Sequence, residues 1–483
     1  MATNLKVLSN AFAQFFGKVL TVMAAFFVVK IVSGYGPEFY GNYVTAYEFL
    51  AFFGIIADMG LFAIAVRDIS KYEGGEKQQG ASTEKILGNL LSLRLILIAV
   101  VTIIAGLVAQ LIGAYPEMVR WGIWITGISM ALTIVAGTLS AILQARMKIA
   151  YFSGSLVFGK ILLAIMIFII AQTSGWFGEG MEALFFQFLA AGVISNTIFC
   201  GLVYYFASRE IPIRLAWDTG YIKKTLKESV PYGAALVLQT LYLRVDLILI
   251  SIILGAQAIG IYGVAARVME SFLILGVFFG QSLLPKLSAE EGSGAKASRT
   301  LSWALEILLI CSLPILLGMY FFASDVVALL SSAEFLSSEG FFGADKALLI
   351  LVPTVLFAFF NQAFSFALVS KQKQFYLLGI NAAGLALNVG LNLYFLPIYG
   401  LISAAISTVV CELLVFVLLV HLVRQHFIFD FRMGNVIGTI LVNIGLFLFI
   451  ALTPLKDNLI LSLALCSLIY IFFLYTRRKS LVN

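Results

Sequence analysis

Apolar residues fall along this chain in runs of about 20, each long enough to cross a bilayer as a helix, separated by short polar punctuation. The runs predict fourteen spans, at 10–32, 40–66, 86–112, 120–143, 150–172, 183–207, 230–254, 257–284, 300–323, 347–369, 375–396, 399–421, 434–453 and 458–476. None alternates in the ten-residue manner of a membrane β-strand, which excludes a barrel. The fold class is therefore all-α and polytopic. The first run extends to about Val32, carries Lys18 and lacks a short apolar core with a small-residue cleavage site, so it reads as a retained helix.

The polar punctuation sorts by side. One set of loops, taken with both ends of the chain, carries 22 lysines and arginines; the other carries three, Arg120, Lys346 and Lys456, beside nine acids. The asymmetry predicts both termini in the cytoplasm and a multi-pass protein of the cytoplasmic (inner) membrane. The net charge of +6 then reflects loops facing anionic lipid, and nucleic acid is not an expected partner. The longest outer loop, about 323–346, is too small for a separate domain, so function is expected within the membrane.

Composition agrees: 61% of residues are apolar, 12% are charged and the mean hydropathy is +1.02. Cys200, Cys311, Cys411 and Cys466 all lie within spans without metal-ligand spacing, and read as small core residues. His421 and His426 share a cytoplasmic helix end with no partner set for a metal or a nucleophile. There is no GxxxxGK[ST] loop, so the chain does not itself hydrolyse ATP. No catalytic residue, metal site or cofactor is expected.

The chain echoes itself. YGNYVTAYEFLAFFG at 40–54 resembles IGIYGVAARVMESFL at 259–273, with Gly41/Gly260, Tyr43/Tyr262 and Ala46/Ala265 at an offset of 219. LQARMKIAY at 143–151 resembles LVSKQKQFY at 368–376, with Arg146/Lys371, Lys148/Lys373 and Tyr151/Tyr376 at an offset of 225. The echoes predict a six-span duplication: an N-lobe at 1–207, a cytoplasmic linker at 208–229, a C-lobe at 230–424, and spans 13 and 14 with a cytoplasmic tail at 425–483. Six being even, the repeats enter the membrane the same way, with a cavity expected between them. The linker stretch AWDTGYIKKTLKES reads as an interfacial helix with Trp217 and Tyr221 near the headgroups.

Charges within the spans cost roughly 2.5–3.5 kcal/mol each at mid-bilayer if left facing lipid. The cations are Lys18, Lys30, Arg94, Lys160, Arg244 and Arg267; the acids are Glu48, Asp58, Asp246, Glu270, Glu306 and Glu412. Lys30 and Arg94 lie towards span ends and are placed either to snorkel or to face the interior. Arg244 and Asp246 leave their helix on different faces. Counting equally from the turn near Gly255 makes Asp246–Arg267 and Arg244–Glu270 available as pairs, either fastening a hairpin or opening to an anion. Asp58 lies about one turn from the level of Lys18, which makes that pair available too. Lys160 sits near mid-membrane, where a water-filled lumen would accommodate it. Asp246 with Asn388 and Asn392 has the oxygens for a coupled cation, though asparagines also serve plain helix packing.

The stretch PYGAALVLQTLYLRVDLILISIILGAQAIGIYGVAARVMESFLILGVFFGQSLLPKLS, 231–288, resembles the central region of the O-antigen (Wzx-like) oligosaccharide flippases. These are polysaccharide transporters of the multidrug/oligosaccharidyl-lipid/polysaccharide exporter superfamily. YGNYVTAYEFLAFFGIIADMGLFAIAVRDISK and NVGLNLYFLPIYGLISAAIS are similar to its other two recurrent regions. A count of fourteen spans resembles the lipid II flippase branch.

The resemblance implies two six-helix bundles around a cationic cavity that works by alternating access. The implied cargo is a polyprenyl-pyrophosphate-linked oligosaccharide for cell-surface polysaccharide export. It also implies a monomer in membrane lipid alongside glycosyltransferases or a polymerase of the same pathway, with Na+, H+ or the membrane potential as driving force. Lys18 and Arg267 are the leading pyrophosphate contacts it implies, followed by Arg244 and Lys160. Asp246, Glu270 and Asp58 are the ion-pair or gating residues. The alternatives are a multidrug exporter of the same superfamily, whose cavity would be acidic and aromatic, and an O-antigen ligase or polymerase, which would need a large outer loop.

Overall fold

The computed structural model describes residues 2–73, 82–173, 180–290, 293–429 and 433–453, together with 461–462, 464–465 and 468–470. Among these the chain is helical almost throughout. The first helices are α1 (Ala2–Ser33), α2 (Pro37–Asp58), α3 (Leu61–Glu73), α4 (Thr83–Leu111) and α5 (Glu117–Ala145). They are followed by α6 (Ile149–Gln172), α7 (Met181–Ser208), α8 (Thr219–Ile253), α9 (Ala256–Ala289) and α10 (Gly294–Leu330). The last are α11 (Ala344–Leu351), α12 (Pro353–Ser370), α13 (Phe375–Tyr399), α14 (Leu401–Arg424) and α15 (Met433–Leu452). Twelve described helical stretches are long and apolar enough to span a membrane. The predicted span at 230–254 falls, except for its last residue, within the 35-residue α8, and most of the span at 458–476 falls outside the described residues.

Two predicted spans are interrupted. The run at 40–66 stops at Asp58, where Met59 (φ 39°) and Gly60 (φ 72°) turn left-handed before α3 begins. A continuous apolar run hides such a turn, because hydropathy carries no information on φ. Beyond it α3 is amphipathic: Leu61, Ile64, Ala65 and Ile69 are buried at helical spacing, while Arg67, Asp68 and Lys71 lie on the polar side. The run at 347–369 breaks at Val352, because Pro353 cannot donate to the preceding turn and instead opens α12 at its first position.

The linker also differs from its sequence reading. Its helical part is the opening of α8 rather than a separate surface helix, and Asp218 caps it by accepting from the Gly220 and Tyr221 N–H groups at 2.8 and 3.1 Å. The extended stretch before it is strapped to the start of α4. The Asp218 N–H donates to Asn89 Oδ1 at 2.6 Å, and Gly88 lets the backbone of Arg214 approach so closely that a Cβ would strike its carbonyl oxygen. Trp217 is exposed as expected, but Tyr221 turns inward and donates to Asp68 Oδ2 at 3.0 Å.

The chain divides into two compact units, Met1–Gly260 and Ile261–Asn483. In the first, α1 packs on α6, α5 on α7 and α4, and α2 on α5 and α8. Its core includes Leu61, Ile69, Leu87, Leu90, Leu139, Ile142, Phe199 and Val203. In the second, α12 and α13 pack on α14, and α10 on α12 and α15. The α10–α15 seam is polar: Asn435 donates to Glu306 Oε2 at 2.9 Å, and Asn435, Thr439 and Asn443 succeed one another every fourth residue.

Turns recur at the offsets seen in the sequence. Met147 (φ 55°) and Gln372 (φ 57°) are left-handed at an offset of 225, and each is followed by a lysine N–H returning to a leucine carbonyl, Lys148 to Leu143 and Lys373 to Leu368. Gly36 and Gly255, 219 apart, both take positive φ just before α2 and α9, and Gly180 and Gly400 do so before α7 and α14. Gly41 meets its sequence counterpart directly, since a Cβ there would overlap Ala256 O and crowd Gly260 N.

Candidate functional site

In the first unit the intramembrane charges collect at two levels. Helices α1 and α6 run parallel: Gly17 packs beside Ser153 and Val157, and Phe27 lies 6.0 Å from Phe168 between ring centroids. That register puts Lys18 within one turn of the height of Lys160. Lys18 lies fifteen residues before the C-terminal end of α1 at Ser33 and Lys160 twelve before that of α6 at Gln172, so both are roughly 18–22 Å from those ends. Each is half-buried. No ion pair with a described residue involves Lys18.

The arginines of this unit are engaged by carboxylates. α2 and α8 run antiparallel, and Arg244 Nη1 pairs with Glu48 Oε2 across them. Glu48 is 5% exposed and eleven residues past Pro37, roughly 16 Å from the N-terminal end of α2. Hairpin counting from Gly255 does not consider this partner. Comparing depths on spans 2 and 7 would have found it.

Arg94 neither snorkels nor meets solvent. It is 1% exposed, donates to Thr138 Oγ1 at 2.8 Å and pairs through Nη2 with Asp58 Oδ1. Asp58, offered to Lys18 by its level, thus has Arg94 as a partner. α4 brings the guanidinium against the C-terminal turn of α2, where the helix ends and the carboxylate is 42% exposed. Asp246 is buried and its Oδ1 accepts from the Leu247 N–H at 2.8 Å.

In the second unit Arg267 Nη1 donates to Glu270 Oε2 at 2.8 Å, one turn along the same helix, and both remain 35% exposed. Asn388 and Asn392 are buried together on α13, with Asn392 Nδ2 donating to Asn388 Oδ1 at 2.8 Å and to its carbonyl at 3.0 Å. Asp246 belongs to the first unit, so these two asparagines are the part of the suggested cation triad that shares one unit. Among the described residues no group of three or more His, Cys, Asp or Glu has a metal-holding arrangement. Cys200, Cys311 and Cys411 form no disulfide, and Cys466 lies outside the described residues.

A second set of charges lies on the loop side of the first unit. Arg146 bonds to Glu73 Oε1 at 2.7 Å and Glu210 Oε2 at 3.2 Å, and Lys148 donates to Glu210 Oε1 at 2.7 Å. Arg67 bridges Asp68 and Glu228. The Lys148 hydrogen bond, with Arg146 adding to it, holds the Glu210 carboxyl below its ordinary 4.5, and Arg67 does the same for Glu228. Burial, reinforced by Asp68, pushes the Tyr221 phenol up.

The folded chain therefore binds fewer protons at Glu210 than the unfolded chain. Its stabilising contribution is complete above about pH 4.5 and fades as pH falls through the lower folded value. Glu210→Gln is expected to lower the melting temperature slightly at pH 7 and progressively less as the pH falls below 4.5 and the wild-type carboxyl takes up its proton. Melting curves of both proteins across that range would show the gap closing.

The family profile described as "Polysaccharide biosynthesis protein" matches residues 35–340. A protein of Haloferax volcanii named "Probable flippase AglR" is 26% identical over 234 residues; the match spans about half of each chain, 48% of this one and 47% of the relative. Among solved structures, the lipid II flippase MurJ in an inward-closed conformation superposes with a TM-score of 0.77 at 16% identity, covering 99% of this chain and 100% of that one. An inward-facing multidrug resistance MATE family transporter of the MOP superfamily gives 0.68 at 17% identity, covering 86% and 98%. At such identities the likeness is one of fold.

Proposed function

Because the chain belongs to the polysaccharide biosynthesis protein family, we propose that it is a flippase carrying a polyprenyl-pyrophosphate-linked oligosaccharide across the cytoplasmic membrane by alternating access. Both termini are cytoplasmic in this reading. Two six-helix repeats, 1–207 and 230–424, do the moving, and spans 13 and 14 accompany the second. The observation that carries it is the pairing in depth of Lys18 and Lys160 on parallel, adjacent helices.

A diphosphate needs cations, its sugar needs a wet lumen, and its lipid tail can stay in the bilayer. In the first unit Glu48 and Asp58 are engaged by Arg244 and Arg94. Lys18 adds positive charge beyond those pairs, with Lys160 at a similar depth, and an anionic headgroup suits that level. Arg267 and Arg244, each held by a glutamate, are contacts that a phosphate would gain by exchanging with a carboxylate. In this reading Asp246, Glu270 and Asp58 act as gating residues, and Asn388 and Asn392, buried together on α13, offer oxygens to a coupled cation.

The MATE likeness keeps a multidrug exporter as the second reading. It calls for an acidic surface towards an amphipathic cation, whereas Glu48 and Asp58 each face an arginine. The full-length chain in vesicles, loaded on one side with a fluorescent polyprenyl-pyrophosphate glycan, separates the two. Movement of the glycan with no movement of a cationic dye is expected. Dye efflux without glycan movement would overturn the flippase reading.

A further inference from the structure

We propose that the opening of α8, with the strap that leads into it, binds the phosphate headgroups of anionic phospholipids in the adjoining leaflet. The first three turns of α8 have two unlike sides. Ile222, Thr225 and Ser229 are buried at helical spacing, and on the same flank Tyr221 and Glu228 reach Asp68 and Arg67 of α3. Lys223, Lys224 and Lys227 occupy the other side, all exposed.

Among the described residues none of these three lysines forms an ion pair, unlike the cations around them. Arg67 bridges Asp68 and Glu228, Arg146 and Lys148 share Glu210, and Arg214 lies 3.6 Å from Glu84. The acids closest in sequence are already engaged. Glu228, four residues after Lys224, is held by Arg67, and Asp218 accepts from the Gly220 and Tyr221 N–H groups as the cap of α8. Three ammonium groups thus stand together without a carboxylate of their own.

Depth selects the partner. The apolar run of α8 begins at Val230, so along the helix Lys227 precedes it by about 5 Å and Lys223 by about 10 Å. The headgroup layer extends roughly 5–8 Å beyond the hydrocarbon on each side, within reach of side chains as long as lysine. The strap sits at a similar level, since its backbone at Arg214 closes on Gly88, the sixth residue of α4. Leu215 and Trp217 project from it, 64% and 54% exposed. A water-soluble phosphate would satisfy the lysines but leave these two apolar side chains in water. A phospholipid covers both, with its phosphate on the lysines and its upper acyl chain against the indole. The site does not depend on which molecule the chain transports.

Tryptophan quenching by brominated lipid tests it. The full-length protein is placed in nanodiscs of mixed phosphatidylcholine and phosphatidylglycerol. Either the phosphatidylglycerol or an equal amount of the phosphatidylcholine is brominated near the carboxyl end of its acyl chain. The signal of Trp217 is read as the difference from Trp217→Phe. Stronger quenching by the brominated phosphatidylglycerol is expected. A lysine near an anionic surface contributes about fivefold to the preference, so Lys223→Gln, Lys224→Gln and Lys227→Gln together should abolish the difference. Arginine at all three positions should keep it. The lysines are exposed, so the glutamine variant should melt like the wild type in phosphatidylcholine alone. Equal quenching by the two lipids in the wild type would overturn the proposal, because lipid would then touch the strap without being selected. So would a difference that survives the triple glutamine change, or one erased by millimolar inorganic phosphate, which would assign the lysines to a soluble anion. A Trp217 quenched by neither lipid would place the strap away from the bilayer and overturn it as well.

Discussion

Replacing Lys18 and Lys160 together by glutamine is expected to reduce glycan transport by about 10²–10⁴-fold. Each lysine offers a charge-assisted hydrogen bond to a phosphate oxygen, worth about 1.5–3 kcal/mol. At 1.4 kcal/mol per factor of ten, each single change should cost about 10–100-fold. The two positions lie within a turn of each other in height, so one diphosphate can engage both, and the double change should approach the product of the singles. The fold should survive, because removing a half-buried cation from the membrane interior lowers the cost of placing its helix there. Lys18→Arg with Lys160→Arg keeps the charge and should retain most of the transport. Initial rates in vesicles with the labelled glycan read all of these. A double glutamine variant within about twofold of the wild type would remove these lysines from the site.

How the lysines meet was half legible in the sequence. Their depth followed from counting along apolar runs, but that α1 lies parallel to α6 rests on contacts such as Gly17 beside Val157, which no period in either helix announces. The duplication was more legible than its individual echoes suggested. Identical residues at an offset of 219 or 225 are few, yet the left-handed positions at Met147 and Gln372 keep the same spacing although neither is glycine. The break at Met59–Gly60 was not legible, since an apolar run continues unchanged through a turn set by backbone torsion.

Ion pairing was the least legible layer. Counting from one hairpin considers only partners on that hairpin, whereas Arg244 and Arg94 meet Glu48 and Asp58 from other spans. A guanidinium reaches far enough that depth alone admits several carboxylates, and packing chooses among them.

Asp58 and Arg94 form a pair whose two halves are expected to differ sharply in what their loss costs. Arg94 is 1% exposed, donates to Thr138 Oγ1 and to Asp58, and has a buried Nε with no acceptor. Asp58→Asn leaves this cation in a dry site without its counter-charge, a change that typically costs about 3–5 kcal/mol. Asp58, by contrast, is 42% exposed and water can take the place of the guanidinium. Arg94→Met should therefore cost about 1 kcal/mol or less, the range of a solvent-accessible pair, because methionine fills much of the same apolar path. The double variant Asp58→Asn, Arg94→Met should sit close to Arg94→Met alone, so the second change rescues most of what the first removes. Unfolding in detergent, followed by tryptophan emission or proteolysis, orders the three proteins. If Asp58→Asn proved as mild as Arg94→Met, water would have to reach the guanidinium, and the site would belong to a solvated lumen rather than to packed protein.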